Sequence, residues 1–141
     1  MTTINEIRAL LDNVSEEHRA QQIADGQMTL GMFIGALEAM PQDAPIRFDI
    51  GGWPGKPDSY RGYYEQLAFS CRGDGATVAD VLAHARSAMG RVFEGYKGGK
   101  FVMHENTLVW GGSYGTSSDG RMIMGVENTL DGVIIRTEDE F

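Results

Sequence analysis

Two short stretches hold the side chains best suited to gripping a phosphorylated, base-containing molecule. SYRGYY at Ser59–Tyr64 packs three tyrosines and an arginine into six residues, and GYKGGK at Gly95–Lys100 sets a tyrosine and two lysines around a glycine pair. A tyrosine ring offers a flat face to a base or sugar, and the planar fork of Arg61 matches a phosphate. Gly98 and Gly99 can turn successive backbone N–H groups inward as an anion-binding nest, flanked by Lys97 and Lys100 with Tyr96 beside it. Stacking a base on an aromatic ring is worth about 1–3 kcal/mol. A hydrogen bond to a charged group is worth about 1.5–3 kcal/mol. Two of each come to about 5–12 kcal/mol, a range that reaches past the roughly 8 kcal/mol of a micromolar complex and leaves a margin at its upper end for entropy. WGGSYG at 110–115 adds Trp110 and Tyr114 on a glycine-rich run, with Arg121 downstream.

Each cluster also has a plainer reading. On a strand, the adjacent Tyr63 and Tyr64 point to opposite sides, so one of them packs the core; Tyr64 stands in the candidate set. Trp110 in TLVWGG is either core or ligand-facing. Gly98-Gly99 is either a nest or an ordinary hairpin turn, and Arg61 could pair with Asp58 or Glu65. What favours binding is coincidence: three glycine-flanked aromatic–basic clusters in one short chain are more than a core requires.

Enzyme signatures fail. A P-loop needs G-x-x-x-x-G-K-[ST], but Glu94 holds the first glycine position and Phe101 follows Lys100. HENTL opens like a zincin but has Leu108 where the second histidine belongs. His18, His84 and His104 are scattered, and the single cysteine, Cys71, has no C-x-x-C partner, so neither a metal nor another cofactor is expected. There is no nucleophile elbow. The expectation is a protein that binds without catalysing.

The chain has 141 residues, which fits one domain with a real core. With one cysteine no internal disulfide can form, so a reducing cytoplasm is the expected compartment, the host's if the chain is phage-encoded. The opening MTTINEIRALL does not read as a signal peptide. No apolar run approaches the roughly 20 residues that span a bilayer, so no membrane association is expected. A net charge of −8 argues against duplex nucleic acid as partner. Between Trp53 and Arg121, however, eight basic residues face seven acidic ones. That middle is +1 and the two ends together are −9, and all five tyrosines and both tryptophans lie in it.

Several elements must position these groups. Ile4, Ile7, Leu10, Leu11 and Val14 recur at helical spacing, so residues 3–13 read as an amphipathic helix, and Ser15 caps a second one ending near Gly26. Leu30, Phe33, Ile34, Leu37 and Met40 form the face of a third helix, with Thr29 as N-cap and Pro41 as its stop. PIRFDI (45–50) reads as a strand, GGWPGKPDS (51–59) as a loop, and YYEQLAFSC (63–71) as a strand with Leu67 and Phe69 inward. RGDG makes a turn. The next helix, about 77–89, has Val78, Val81, Leu82, Ala85 and Met89 as its face, a Thr77/Asp80 capping pair, Gly90 as its end, and His84 on the solvated side. RVFEGY, KFVMHE, TLVWGGSYG, MIMGVEN and GVIIRT are the remaining strands. Helices first, then a mostly antiparallel sheet with one embedded helix, is an α+β pattern. The expected division is a helical extension at 1–27, one α+β domain at 28–137 and an acidic tail at 138–141.

The order SYRGYY, then TVADVLAHA (Thr77–Ala85), then FEGYKGGKFVM (Phe93–Met103) resembles a family of small proteins widespread in bacteriophage genomes. The resemblance covers about Thr29–Gly115; residues 1–27 and the end of the chain depart from the pattern. In the chemistry of its clusters it extends to the viral sponge proteins that sequester cyclic nucleotide messengers of antiphage immunity, in the manner of anti-CBASS and anti-Thoeris inhibitors. It implies a phage-type binding protein that sequesters a nucleotide-derived immune signal and so inhibits host defence. The candidate site, read from the chemistry of the clusters themselves, is Tyr60, Arg61, Tyr64, Tyr96, Lys97, Gly98, Gly99, Trp110, Tyr114 and Arg121. A homodimer or higher homo-oligomer is expected, because an interface encloses a small molecule more fully. Two alternatives are an acidic protein–protein inhibitor of a host nuclease or CRISPR complex, and a small nucleotide-acting enzyme using Glu65, Glu94 or His104.

Overall fold

The structure, a computed structural model, describes residues 26–60, 65–95, 98–112 and 120–139. The helices expected before residue 26 lie outside these. The described residues form an α+β fold of two helices and eight strands.

Helix α1 (Leu30–Glu38) starts where Thr29 leaves extended backbone and its hydroxyl accepts the Met32 N–H at 3.2 Å. Its stripe is the expected one: Leu30, Phe33 and Leu37 are fully buried, and Ile34 and Met40 half-buried. Helix α2 (Val78–Ala88) opens with a true capping box. The Asp80 amide donates to the Thr77 hydroxyl, and the Thr77 amide donates to the Asp80 carboxylate. Its buried face is Val78, Val81, Leu82, Ala85 and Ala88. Met89, expected on that face, has left the helix with extended backbone and is exposed, and Ala88 takes its place.

Strands β1 (Ile46–Phe48), β2 (Pro57–Ser59), β3 (Leu67–Phe69), β6 (Val109–Gly111), β7 (Arg121–Thr129) and β8 (Gly132–Glu138) form one sheet in the order β1-β8-β7-β6-β3-β2. Strands β4 (Val92–Glu94) and β5 (Lys100–Val102) form a separate antiparallel hairpin. The large sheet is mixed, since β1 runs parallel to β8 and β3 parallel to β6. Strand β2 was expected to be loop because of its Gly and Pro neighbours. Pro57 is tolerated because it is the first residue of an edge strand, where a missing N–H costs the ladder least.

Both helices lie on one face of the sheet, over Ile46, Phe48, Leu67, Phe69, Val109, Ile123, Val133 and Ile135. The alternate residues Ala68, Trp110 and Met122 point to the other face, where with Tyr60 they form a second, smaller cluster. Gln27 is fully buried and donates Nε2 to the Val109 carbonyl at 3.1 Å. At the other end, the strand runs through Glu138, and Asp139, expected in a solvated tail, pairs with Arg121. No helix among the described residues is long and apolar enough to cross a membrane.

Candidate functional site

Of the residues expected to meet a ligand, Arg61, Tyr64, Tyr96, Lys97 and Tyr114 lie outside the described residues. The other five can be placed, and Tyr60, Trp110 and Arg121 are already engaged with protein. The parallel pairing of β3 with β6 and the antiparallel pairing of β2 with β3 bring Tyr60 against Trp110, with ring centroids 4.5 Å apart at 20°. Trp110 is fully buried and Tyr60 is 2% exposed. The Trp110 indole N–H donates to the buried Gln66 side chain, and a Cβ at Gly120 would run into the Tyr60 ring. The ring therefore stacks on protein rather than facing a ligand from an open surface.

The glycine pair forms the hairpin turn between β4 and β5. Gly98 and Gly99 both have positive φ, and the Gly98 amide donates to the Gly95 carbonyl at 2.9 Å. That donor is engaged by the turn itself, so the nest reading is corrected to an ordinary turn. Arg121 is engaged too: Nε donates to the Thr137 hydroxyl at 2.9 Å and one terminal nitrogen to Asp139 at 2.7 Å. The Thr137 hydroxyl passes the chain on, donating to Asp49 at 2.6 Å, while the Thr137 amide donates to the other Asp49 oxygen at 2.8 Å. Partial burial pushes the Asp49 carboxyl up. The bonds from Thr137, the Ile50 amide and the Arg121 charge together outweigh it and hold the group below its ordinary value. This network clamps the ends of β1, β7 and β8.

The open polar surface lies elsewhere, in a cleft that the sequence pattern did not single out. Its floor is the outer side of α2. Asp80, Ala83, His84 and Ser87 recur at i, i+3, i+4 and i+7, opposite the buried stripe. The facing wall is the loop Pro54–Lys56 and the turn at 72–75, sewn together by backbone. Gly55 donates to Ser70 at 2.7 Å and Gly73 to Trp53 at 2.9 Å. A Cβ at Gly73 would stand 2.6 Å from the Pro54 carbonyl, so this close approach requires glycine.

Two adjoining pockets make up the cleft, of about 520 and 320 Å³, and Lys56 and His84 line both. Each falls in the roughly 300–1,000 Å³ range of small-molecule sites. The larger adds Arg72, Asp74 and Asp80; the smaller adds Asp58, Ser87, Arg91 and Phe93. Formal charge is balanced, three cations against three carboxylates, but their availability differs. The Asp80 carboxylate is held by Thr77, which keeps its carboxyl below the usual value through the amide and the hydroxyl. Asp58 accepts its neighbour's amide, Ser59 N–H, at 2.8 Å. Among the described residues, the ion pairs are Arg86–Glu38, Arg121–Asp139 and Arg136–Glu127, and Lys56, Arg72 and Arg91 take part in none of them. Arg91 lies over the Phe93 ring at 4.8 Å, which orients its guanidinium. His84, expected to be solvated, is half-buried at the junction of the two pockets.

The signals for this cleft were the two loops GGWPGKP and RGDG, each with a cation among glycines, which read as turns because nothing local says that they meet. Among the described residues, no three His, Cys, Asp or Glu side chains converge to hold a metal ion. Comparison of the chain with protein-family models, with curated proteins and with solved structures finds no match.

Proposed function

We propose that this protein binds and sequesters a phosphorylated, base-containing small molecule without altering it, and that the α2 cleft is where it does so. The observation that carries the reading is a cleft of ligand size lined by Lys56, Arg72 and Arg91, each without an ion-pair partner among the described residues, with carboxylates interspersed. A bare phosphate is served by cations and N–H donors alone. A nucleotide needs cations for its phosphate and acceptors for its sugar hydroxyls and base N–H groups, so a mixed lining suits it. The resemblance of SYRGYY and FEGYKGGKFVM to phage proteins points to the same class, and a nucleotide-derived immune signal, such as a cyclic nucleotide, is the ligand proposed. The proposed setting is the host cytoplasm, in a homodimer or larger assembly whose second copy encloses the ligand further.

The test is a thermal-shift panel of cyclic dinucleotides, cyclic mononucleotides, linear nucleotides and inorganic phosphate. Ligand at 100 times its Kd stabilises the folded state by about 2.7 kcal/mol, a rise of several degrees for a domain of this size. Denaturing the complex should return the nucleotide intact on chromatography. A panel in which no nucleotide raises the melting temperature overturns the binding reading, and steady conversion of the nucleotide overturns the non-catalytic one. Light scattering of a monomer, with and without ligand, overturns the assembly.

A further inference from the structure

We infer that the cleft is polarised: the smaller pocket takes the phosphate, and the larger takes the sugar and base. This rests on the nucleotide reading above and adds an orientation to it. In the smaller pocket Lys56, Arg91, His84 and Ser87 converge as donors, against one carboxylate, Asp58, that already accepts the Ser59 amide. The guanidinium of Arg91 lies 4.8 Å from the centre of the Phe93 ring, a contact that restrains it at the pocket. That arrangement favours a group with several acceptor oxygens and negative charge.

The larger pocket is richer in carboxylates: Asp74 and Asp80 stand in it against Arg72 and the shared Lys56, whereas the smaller has Asp58 alone against Arg91 and the same Lys56. Asp80 is engaged by Thr77, whereas Asp74 has neither a hydrogen bond nor an ion pair among the described residues. An available carboxylate repels phosphate and accepts from a sugar hydroxyl or a base N–H. Gly75 lines it with nothing within 4 Å of where a Cβ would stand, which leaves room for a flat ring, and Arg72 lines the same pocket with a guanidinium of the type that stacks on aromatic rings. A nucleotide lying along the cleft thus meets donors at one end and an acceptor at the other, with Lys56 and His84 between.

The experiment is a set of calorimetric titrations of the full chain with AMP, adenosine and 2′-deoxy-AMP, and with the guanine counterparts. The parent should bind the nucleotide more tightly than its nucleoside, and the ribonucleotide more tightly than its deoxy form, each by about tenfold or more. Arg91→Gln should bring nucleotide and nucleoside to within about threefold while leaving the ribose preference in place. Asp74→Asn should do the converse. If the parent binds none of the six, this inference falls, while the nucleotide reading is decided separately by the cyclic-nucleotide arms of the thermal-shift panel. If the parent binds but the two variants leave both ratios unmoved, shift both together or exchange their effects, the nucleotide reading stands and the orientation is wrong.

Discussion

Tyr60 decides between two accounts of the SYRGYY stretch, and the structure sets the size of the difference. If the ring faces a ligand, its removal leaves the fold unharmed. Here the ring is 2% exposed and stacked on a fully buried Trp110. Truncating a buried aromatic to alanine costs about 3–5 kcal/mol, from lost transfer energy and the cavity left behind. Unfolding entropy is about 2.1 cal/mol/K per residue near the midpoint, which for this chain is roughly 0.3 kcal/mol/K. Tyr60→Ala should therefore lower the melting temperature by roughly 10–17 °C. Tyr60→Phe keeps the stack and loses only the hydroxyl, so it should cost about 0.5–1.5 kcal/mol, roughly 2–5 °C. The assay is thermal unfolding followed by far-ultraviolet circular dichroism. The near-ultraviolet signal of the coupled rings should be lost in the alanine variant at temperatures where it is still folded. If Tyr60→Ala melts within about 3 °C of the parent, the ring is not part of the core, and the argument for a second cluster beneath the sheet is wrong.

Other consequences follow from the same packing. Gly111→Ala would drive a methyl into the ring of Phe48, which is 1% exposed, and should destabilise by about 1–3 kcal/mol in denaturant titration. Thr29→Ala removes the cap of α1 and should cost about 0.5–2 kcal/mol by the same measurement. The Asp49 carboxyl is held below its ordinary value of 3.8 in the folded state. Its contribution is therefore complete above that value and is lost as pH falls through it toward the lower folded value. Stability measured from neutral pH down to about pH 2 should fall less steeply below pH 4 in Asp49→Asn than in the parent, from a lower starting point; identical slopes would show that the clamp is not linked to protonation.

The sequence by itself determined the features whose causes are local. The faces of α1 and α2 follow from apolar residues recurring every three or four positions, and their starts from Thr29 and the Thr77/Asp80 pair; all lie where the pattern placed them except Met89, whose place on the α2 face Ala88 takes. The strand runs after Arg91 were legible from alternation and turn residues, and the α+β class followed from their order. What only the tertiary structure decided is which runs meet. Pro57–Ser59 is a strand because β3 offers it a ladder, and no local propensity records that partner. The parallel pairings of β1 with β8 and of β3 with β6 join residues far apart in the chain. They determine that Trp110 lies under Tyr60 instead of opening toward a ligand. The glycine pair could have been a nest or a turn until the Gly98 amide found the Gly95 carbonyl. The cleft is the clearest case. Lys56, Arg72, His84 and Arg91 are unremarkable one by one, on a loop, a turn, the outer side of a helix and the lead-in to β4. Periodicity and capping report on neighbours within a few residues, whereas a site made where four separate elements converge depends on long-range packing that no single window of the sequence contains.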